Sequence, residues 1–320
     1  MAELSVAGLR VLREVAEAGS FSAAARGLGY TQSAVSRQVA GVEAAAGRRL
    51  FERRRDGVRL TPAGNRLLAR ATAVLAEIDA ARRELDGLSS AVGPVRLGAF
   101  PSAGAALVPT ALGTLARQHP RLEVTLREGT TPSLIRALRT GAIDLAVLAS
   151  LPPFRPFDGE APPLRVETLS ESELRVAVGP GHPLAARTAV ELEELEGQRW
   201  VASRSEGGET LLGVWPGLGG RPHVAYVARD WLTKLNLVAA GLAVTTVPGI
   251  AAAAVPPDVR LLTVRGEPQE VRRSVLARLP GPDAPELDAV ADALRAAVPL
   301  LIGTNRRAPG ERVKGGPRGE

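Results

Sequence analysis

The residues of this chain best suited to chemistry lie close together near its amino terminus. Thr31, Gln32, Ser33, Ser36 and Arg37 bring short hydroxyls, an amide and a guanidinium into one stretch, and Arg53, Arg54, Arg55 and Arg59 follow. Short polar side chains and Arg hydrogen-bond base edges in a major groove, while clustered Arg neutralise phosphates and release their condensed counterions. Val35, Val39 and Val42 recur at i, i+4 and i+7. A helix here therefore turns its valines to a core and Gln32, Ser33, Ser36, Arg37 and Ala40 to the opposite face. Polar residues on an outer helix face also occur without function, so the surrounding elements must decide.

Other chemistries find little support. The chain has no Cys, which excludes disulfides, thiol redox sensing and Cys-ligated metals. It has three His: His119 in Gln-His-Pro, His182 in Gly-His-Pro, and His223 at the start of a strand pattern. None has the neighbours of a catalytic triad or a metal site. Gly217-Leu218-Gly219-Gly220 lacks the Lys-Ser/Thr of a phosphate loop. The sequence reads as a non-enzyme with no metal and no cofactor.

The elements needed to position the polar residues are legible. Leu4, Leu9, Leu12 and Val15 recur at helical spacing up to Gly19, and Ser20 caps a short Ala-rich helix, Phe21–Leu28. Gly29-Tyr30 makes a turn, and Thr31 caps a helix from Gln32 to about Ala46, closed by Gly47. These are the parts of a helix-turn-helix over residues 21–40. Residues 50–60 then read as a hairpin with Asp56-Gly57 at its tip, which makes residues 4–61 a winged helix-turn-helix. Charge agrees with this placement. Residues 1–70 hold 12 Arg against 6 acidic groups, whereas residues 71–302 hold 23 basic against 26 acidic. A basic head on a mildly acidic body points to an anionic partner. Only two of the basic residues are lysines, Lys234 and Lys314.

The runs Gly19-Ser20-Phe21-Ser22-Ala23-Ala24-Ala25, Thr31-Gln32-Ser33-Ala34-Val35-Ser36-Arg37-Gln38, Leu50-Phe51-Glu52-Arg53 and Leu60-Thr61-Pro62-Ala63-Gly64 together resemble the LysR-type transcriptional regulators. The likeness runs through residues 4–64 with one departure, Leu12 where the family usually has Phe. It implies that Thr31, Gln32, Ser33, Ser36, Arg37, Arg53, Arg54, Arg55 and Arg59 contact promoter DNA at an interrupted palindrome. It also implies a cytoplasmic homo-oligomer, commonly a tetramer, that contacts RNA polymerase.

Thr61-Pro62 starts a further helix, read over residues 62–90. Leu67, Ala71, Val74, Ile78, Ala81 and Leu85 recur along it at alternating spacings of four and three, the seam of a helix that pairs with another. In the LysR-type family this helix dimerises the DNA-binding heads. A helix packed on its own domain would show a broader apolar stripe.

From residue 93 strands alternate with helices, the pattern of an α/β domain with a largely parallel sheet, read over residues 93–302. The expected strands are 95–99, 122–127, 143–148, 173–178, 199–202, 223–228, 243–247 and 271–278. The expected helices are 103–118, 132–140, 190–195, 230–240 and 283–298. Lobe one takes residues 93–160 and 268–302; lobe two takes 164–265. Overall the chain is α/β, and this body resembles the family's two-lobed effector domain, similar to a periplasmic binding protein. His182-Pro183-Leu184-Ala185 and the run from Leu237 to Pro248 look like family landmarks. Ligands in such folds sit outside the carboxyl ends of parallel strands. The expected effector contacts are therefore Phe100, Ser102, Thr130, Thr131, Ala149, Ser203, Arg204, Trp231 and Thr246. Ser102, Thr131 and Ser203 also suit plain helix caps. The hydroxyls suit a small effector with an anionic or polar group; some members of the family place an Arg after the third strand to bind a second carboxylate, and Ala149 in that neighbourhood weakens a dicarboxylate reading.

The tail 303–320, rich in Gly, Pro and Arg, is expected to be disordered. The start lacks a signal-peptide pattern and no run approaches a spanning helix, so a soluble cytoplasmic protein is expected. Two alternatives remain beside the effector-responsive regulator: a transport-type solute receptor, and an architectural DNA protein without a ligand.

Overall fold

The computed structural model describes residues 3–54, 57–85, 94–157, 159, 163–204, 211–266, 270–281 and 284–303. Four elements of the head appear where capping and periodicity put them. They are α1 (Val6–Ala18), α2 (Phe21–Leu28), α3 (Gln32–Ala46) and the hairpin of β1 (Phe51–Arg54) and β2 (Gly57–Leu60). Ser5, Ser20 and Thr31 each accept a backbone N–H of the first turn, and Gly19, Gly29 and Gly47 close the three helices in the left-handed conformation. Leu12, Val15, Ala24, Val35 and Val39 bury the inner faces against one another.

The next helix, α4 (Pro62–Leu85), divides its surface between two tasks. Leu68, Ala71 and Leu75, spaced three and four apart, are buried, and Ala71 and Leu75 join the head's core. Leu67 packs half-buried against the same core. The seam reading is therefore corrected at its first positions: Ala71, 1% exposed, is sealed inside its own head and cannot meet a partner. Val74 stays 46% exposed, Ile78 is half-buried and Ala81 is exposed, so any seam on α4 is left to the positions from Val74 onward. The side chain of Leu85 and residues 86–90 of the expected linker lie outside the described residues.

The body builds on β3 (Val95–Ala99), α5 (Pro101–Ala105), α6 (Leu107–Gln118), β4 (Val124–Glu128), α7 (Thr131–Arg139), β5 (Leu145–Ser150) and β6 (Arg165–Val178). It continues through β7 (Ala189–Glu191), β8 (Arg199–Arg204), β9 (Leu211–Leu212), β10 (His223–Val227), α8 (Trp231–Ala239), β11 (Thr245–Pro248), β12 (Arg260–Arg265), β13 (Val271–Arg278) and α9 (Pro285–Gly303). Short 3-10 helices occupy Leu192–Leu195 and Gly249–Ala254.

Three differences from the sequence reading matter. The expected helix 103–118 starts at Pro101 and breaks at Ala106, whose φ of −130° leaves the helical region. The expected strand 173–178 is only the second half of β6. Its residues 165–173 pair antiparallel with β13 in lobe one, and Leu174–Val178 pair with β11 and β12 in lobe two. The sheet is thus mixed, in the order β4-β3-β5-β13-β6-β12-β7 with β11 also on β6, and only β4, β3 and β5 form a parallel block in lobe one. Strand β12 and the helix 249–254 have no counterpart in the sequence reading, because Ala251–Ala254 and Pro256-Pro257 give neither period.

Lobe one packs α6 and α9 on one face of its sheet and α7 on the other. Arg96 locks β3 to β5: its backbone N–H and Nε donate to Asp144 Oδ2 at 2.8 and 3.0 Å. The head touches this lobe directly. Thr72 Oγ1 of α4 donates to the carbonyl of Thr140 at 3.0 Å, and Glu17 of α1 pairs with Arg127. Among the described residues no helix is long and apolar enough to cross a membrane.

The division of α4 makes a prediction. Leu75→Ala should lower the unfolding free energy by about 3 kcal/mol by opening a cavity in the head. Ile78→Asp should leave thermal unfolding almost unchanged but convert dimer to monomer in sedimentation. A dimer that survives Ile78→Asp would show that α4 does not pair.

Candidate functional site

The residues expected to face DNA are tied into α3 and the hairpin by hydrogen bonds. Thr31 Oγ1 accepts the Ala34 N–H at 3.2 Å and lies 3.1 Å from Ser33 Oγ, so both hydroxyls are tied to the first turn of α3. Ser22 Oγ of α2 donates to Gln32 Oε1 at 3.1 Å, which fixes Gln32 through its oxygen and turns its NH2 donors outward. Thr31, Gln32, Ser33 and Arg37 are exposed and Ser36 is half-buried on the same helix.

The wing is aimed by two contacts. Glu43 Oε1 of α3 accepts the backbone N–H of Leu50 at 2.7 Å and of Phe51 at 3.3 Å. At the other end Val58 N–H donates to the Gly19 carbonyl at 2.8 Å. A Cβ on Gly57, whose φ is +138°, would stand 2.3 Å from that carbonyl oxygen, so the close approach needs glycine. Arg53, Arg54 and Arg59 are exposed along the hairpin. Arg54 lies 3.7 Å from Glu52 with both side chains 55% exposed, a contact too solvated to hold it from phosphate. Arg55 lies outside the described residues.

A second site is built from strand ends. In lobe one β4, β3 and β5 run parallel and side by side, so the segments after them share one rim. Phe100 and Ser102 are buried there. Phe100, not Ser102, is the N-cap of α5, and no side chain caps that helix. Thr130, not Thr131, caps α7 by accepting the Ser133 N–H at 3.3 Å. Thr131 Oγ1 instead clasps the end of β5, lying 3.1 Å from both the N and the O of Ala149.

In lobe two β8 and β10 are parallel, and Val244 bridges Trp200 so that β11 follows β8 in the same direction. Ser203 and Thr246 are buried at these strand ends, and Trp231 opens α8. Ser203 caps no helix. The side chain of Arg204 is not described. The two rims meet, because α5 packs against α8 and against the helix Gly249–Ala254. A cavity of about 380 Å³ beside Ser203 is lined also by Arg221, Pro222, His223 and Val227. Ser203 is the one expected effector residue on its wall.

One residue of this site escaped the sequence reading. Lys234 of α8 is 6% exposed, and its Nζ donates to Ser203 Oγ at 3.0 Å and to the Leu212 carbonyl at 3.4 Å. Burial, with no carboxylate beside it among the described residues, pushes its pKa down to about 8. The available signal was rarity: it is one of two lysines in an Arg-rich chain. His182 does structural work. His182 Nδ1 accepts the Leu184 N–H at 3.2 Å and its Nε2 faces Gln198 Oε1 at 3.2 Å, which fixes a turn. No group of three or more His, Asp or Glu able to hold a metal occurs among the described residues.

Two family models match this architecture: the lysR-family bacterial regulatory helix-turn-helix over residues 6–65, and the LysR substrate binding domain over residues 89–299. The chain belongs to the LysR family of transcriptional regulators. This LysR-type regulator is 38% identical over 187 residues to a probable hydrogen peroxide-inducible genes activator of Mycobacterium xenopi, covering 58% of this chain and 95% of that protein. It is 34% identical over 302 residues to the small neutral protease regulatory protein of Streptomyces coelicolor, covering 91% of this chain and 86% of the relative. Full-length OxyR from Pseudomonas aeruginosa shares the fold at a TM-score of 0.60 and 24% identity, covering 97% of this chain and 99% of that one. CbnR in complex with its target DNA does so at a TM-score of 0.52 and 23% identity, covering 92% and 100%.

Two outcomes are expected of this LysR-type regulator. Arg37→Ala should weaken binding to a specific site by about 1–3 kcal/mol in a gel-shift titration, with no change in thermal unfolding. Lys234→Met should raise stability at pH 7 by roughly 1–3 kcal/mol. Below pH 8 folded and unfolded chains both carry the Lys234 proton, and the folded chain bears the full cost of burying it. Between about 8 and 10.5 the unfolded chain keeps a proton that the folded chain has lost, so wild-type stability gains with pH. The gap between variant and wild type, read by chemical denaturation, should therefore narrow across that window.

Proposed function

We propose that two copies of this regulator pair through α4 and place their α3 helices on the half-sites of an interrupted palindrome. A small molecule held between the lobes then sets how they bind. The observation that carries this reading is the meeting of the two rims. Three parallel strand ends of lobe one and those of β8 and β10 open toward a shared boundary, with α5 against α8. In this reading Phe100, Ser102, Thr130, Thr131 and Ala149 from lobe one and Ser203, Arg204, Trp231 and Thr246 from lobe two would contact the ligand, and the packing of α5 against α8 supports a site shared by both lobes.

The exposed Val74 and Ala81 and the half-buried Ile78 of α4 support pairing. The contacts of Thr72 with Thr140 and of Glu17 with Arg127 join the head to lobe one, so a shift in lobe geometry bears on the head. In this reading the ligand selects among packings of the protomers, which changes the spacing of the heads, the bend of the DNA and contact with RNA polymerase. The chain regulates without catalysing a reaction.

A second reading comes from the Mycobacterium xenopi relative, named as a probable hydrogen peroxide-inducible genes activator, at 38% identity. A peroxide-bound mutant of Corynebacterium glutamicum OxyR is also similar, at 27% identity and a TM-score of 0.51, covering 94% of this chain and 96% of that one. This sequence contains no Cys, so peroxide has no thiol to oxidise here. The small-molecule reading is the better supported.

The test is a gel-shift on DNA upstream of the protein's own gene and of the adjacent divergent gene, in excess nonspecific competitor. A discrete complex that survives competitor and is unchanged by peroxide is the expected outcome. A smear lost to competitor would favour an architectural DNA protein, and a peroxide-altered complex would favour the second reading.

A further inference from the structure

Three polar side chains open α3, and they are held in different ways. Thr31 and Ser33 are tied to each other and to the first turn of their own helix. Gln32 is held from outside α3: Ser22 Oγ of α2 donates to its Oε1 at 3.1 Å. Packing fixes the distance between the two helices. Ala24 and Ala25 of α2 and Val35 and Val39 of α3 are buried in one core. The Tyr30 N–H closes the intervening turn onto the Ala25 carbonyl at 2.9 Å. Ser22 and Gln32 are both exposed, so the bond between them lies on the outer surface of the head. Water competes for such a bond in free solution, and a groove that excludes water strengthens it.

A primary amide reads DNA in two ways, since its NH2 group donates and its oxygen accepts. A glutamine free to turn uses both on adenine, donating to N7 and accepting from N6. With Oε1 engaged by Ser22, the NH2 group is the end that Gln32 offers outward. We propose that Ser22 is a specificity-determining positioning residue that makes Gln32 a donor by holding its Oε1. Gln32 then reads acceptor atoms in the major groove, guanine N7 and O6 or thymine O4, in preference to the amino groups of adenine and cytosine. This rests on the reading above that α3 enters a half-site, and it adds the class of base that one side chain selects there. Arg37, further along the same helix, is a donor by its chemistry. Gln32 becomes one by position.

Binding-site selection by the full-length protein, from a random pool of interrupted palindromes, provides the test. Gln32→Ala should flatten base preference at one position of each half-site, which identifies the pair that Gln32 reads. Ser22→Ala should relax preference at that same position by about threefold to tenfold, the range of one hydrogen bond, and leave other positions and thermal unfolding unchanged. Ser22→Thr keeps the hydroxyl and should keep the wild-type preference. On the selected site, base analogues that lack a major-groove acceptor at that pair should weaken wild-type binding (7-deazaguanine for guanine, 5-methyl-2-pyrimidinone for thymine). Analogues that lack only an amino group should not (purine for adenine, 2-pyrimidinone for cytosine). The proposal is overturned by a Gln32→Ala profile identical to the wild type, by a Ser22→Ala effect spread evenly over all positions, or by wild-type binding that depends on the amino group. The two readings fail differently. A pool with no enriched site removes sequence-specific readout altogether, whereas an enriched site that Ser22→Ala reads as the wild type does removes only the role of Ser22.

Discussion

Strand β6 is the constraint on which the body of this regulator depends. It runs unbroken from Arg165 to Val178, and its backbone hydrogen bonds pass from β13 in lobe one to β11 and β12 in lobe two. A strand cannot leave one of these sheets without disturbing the other, because each residue's N–H and C=O are committed to a ladder. Leu174 stands at the changeover, where its N–H donates to the Glu270 carbonyl at 2.8 Å. The two lobes are therefore joined by paired strands rather than a loose linker. Their relative tilt can change at this junction while each lobe keeps its own core. The strand ends that face each other do so because this shared strand orients both sheets.

The head is bound to the same logic through α4. One side of that helix is spent on fastening, with Ala71 and Leu75 sealed in the head's core and Leu67 packed against it. The neighbouring flank carries the exposed Val74 and Ala81 and the half-buried Ile78. A recognition surface mounted this way moves with the helix, since α3, the wing and α4 share one packed core. The hydrogen bond from Thr72 and the ion pair of Glu17 with Arg127 then connect that rigid unit to the sheet of lobe one. The exposed ion pair adds little stability. Its value lies in geometry, because it joins two units that each have their own core.

Lys234 differs from the other charged groups of the body that the structure pairs, such as Arg96 with Asp144, Arg278 with Asp288 and Arg295 with Glu167. Lys234 alone among the described basic residues is buried and faces only neutral oxygens. Burying an ammonium among neutral oxygens costs stability, which is the direction of its lowered pKa.

Much of the head was legible from residue types alone. Ser20 and Thr31 cap, Gly19, Gly29 and Gly47 terminate, and the valines of α3 mark its inner face. Each of these signals acts within one or two turns of backbone, where local sterics and hydrogen bonding decide the outcome. The same holds for strands such as 95–99 and 271–278, whose apolar runs are short and sharply bounded. Long-range choices were not legible. The seam on α4 carried two overlapping apolar stripes, and only packing against α1 assigned Ala71 to the head. The hydroxyls of Thr131 and Ser203 read equally as caps or ligand contacts; the fold gave one to the backbone of Ala149 and the other to Lys234. Lys234 itself looked like any charged residue on a helix. Sequence by itself determined the elements of the head and the residue types on the outer face of α3 and the hairpin, because those depend on neighbours along the chain. The tertiary structure alone decided the joint course of β6 and the burial of Lys234 against Ser203 and Leu212, because burial and partners come from segments far apart in sequence.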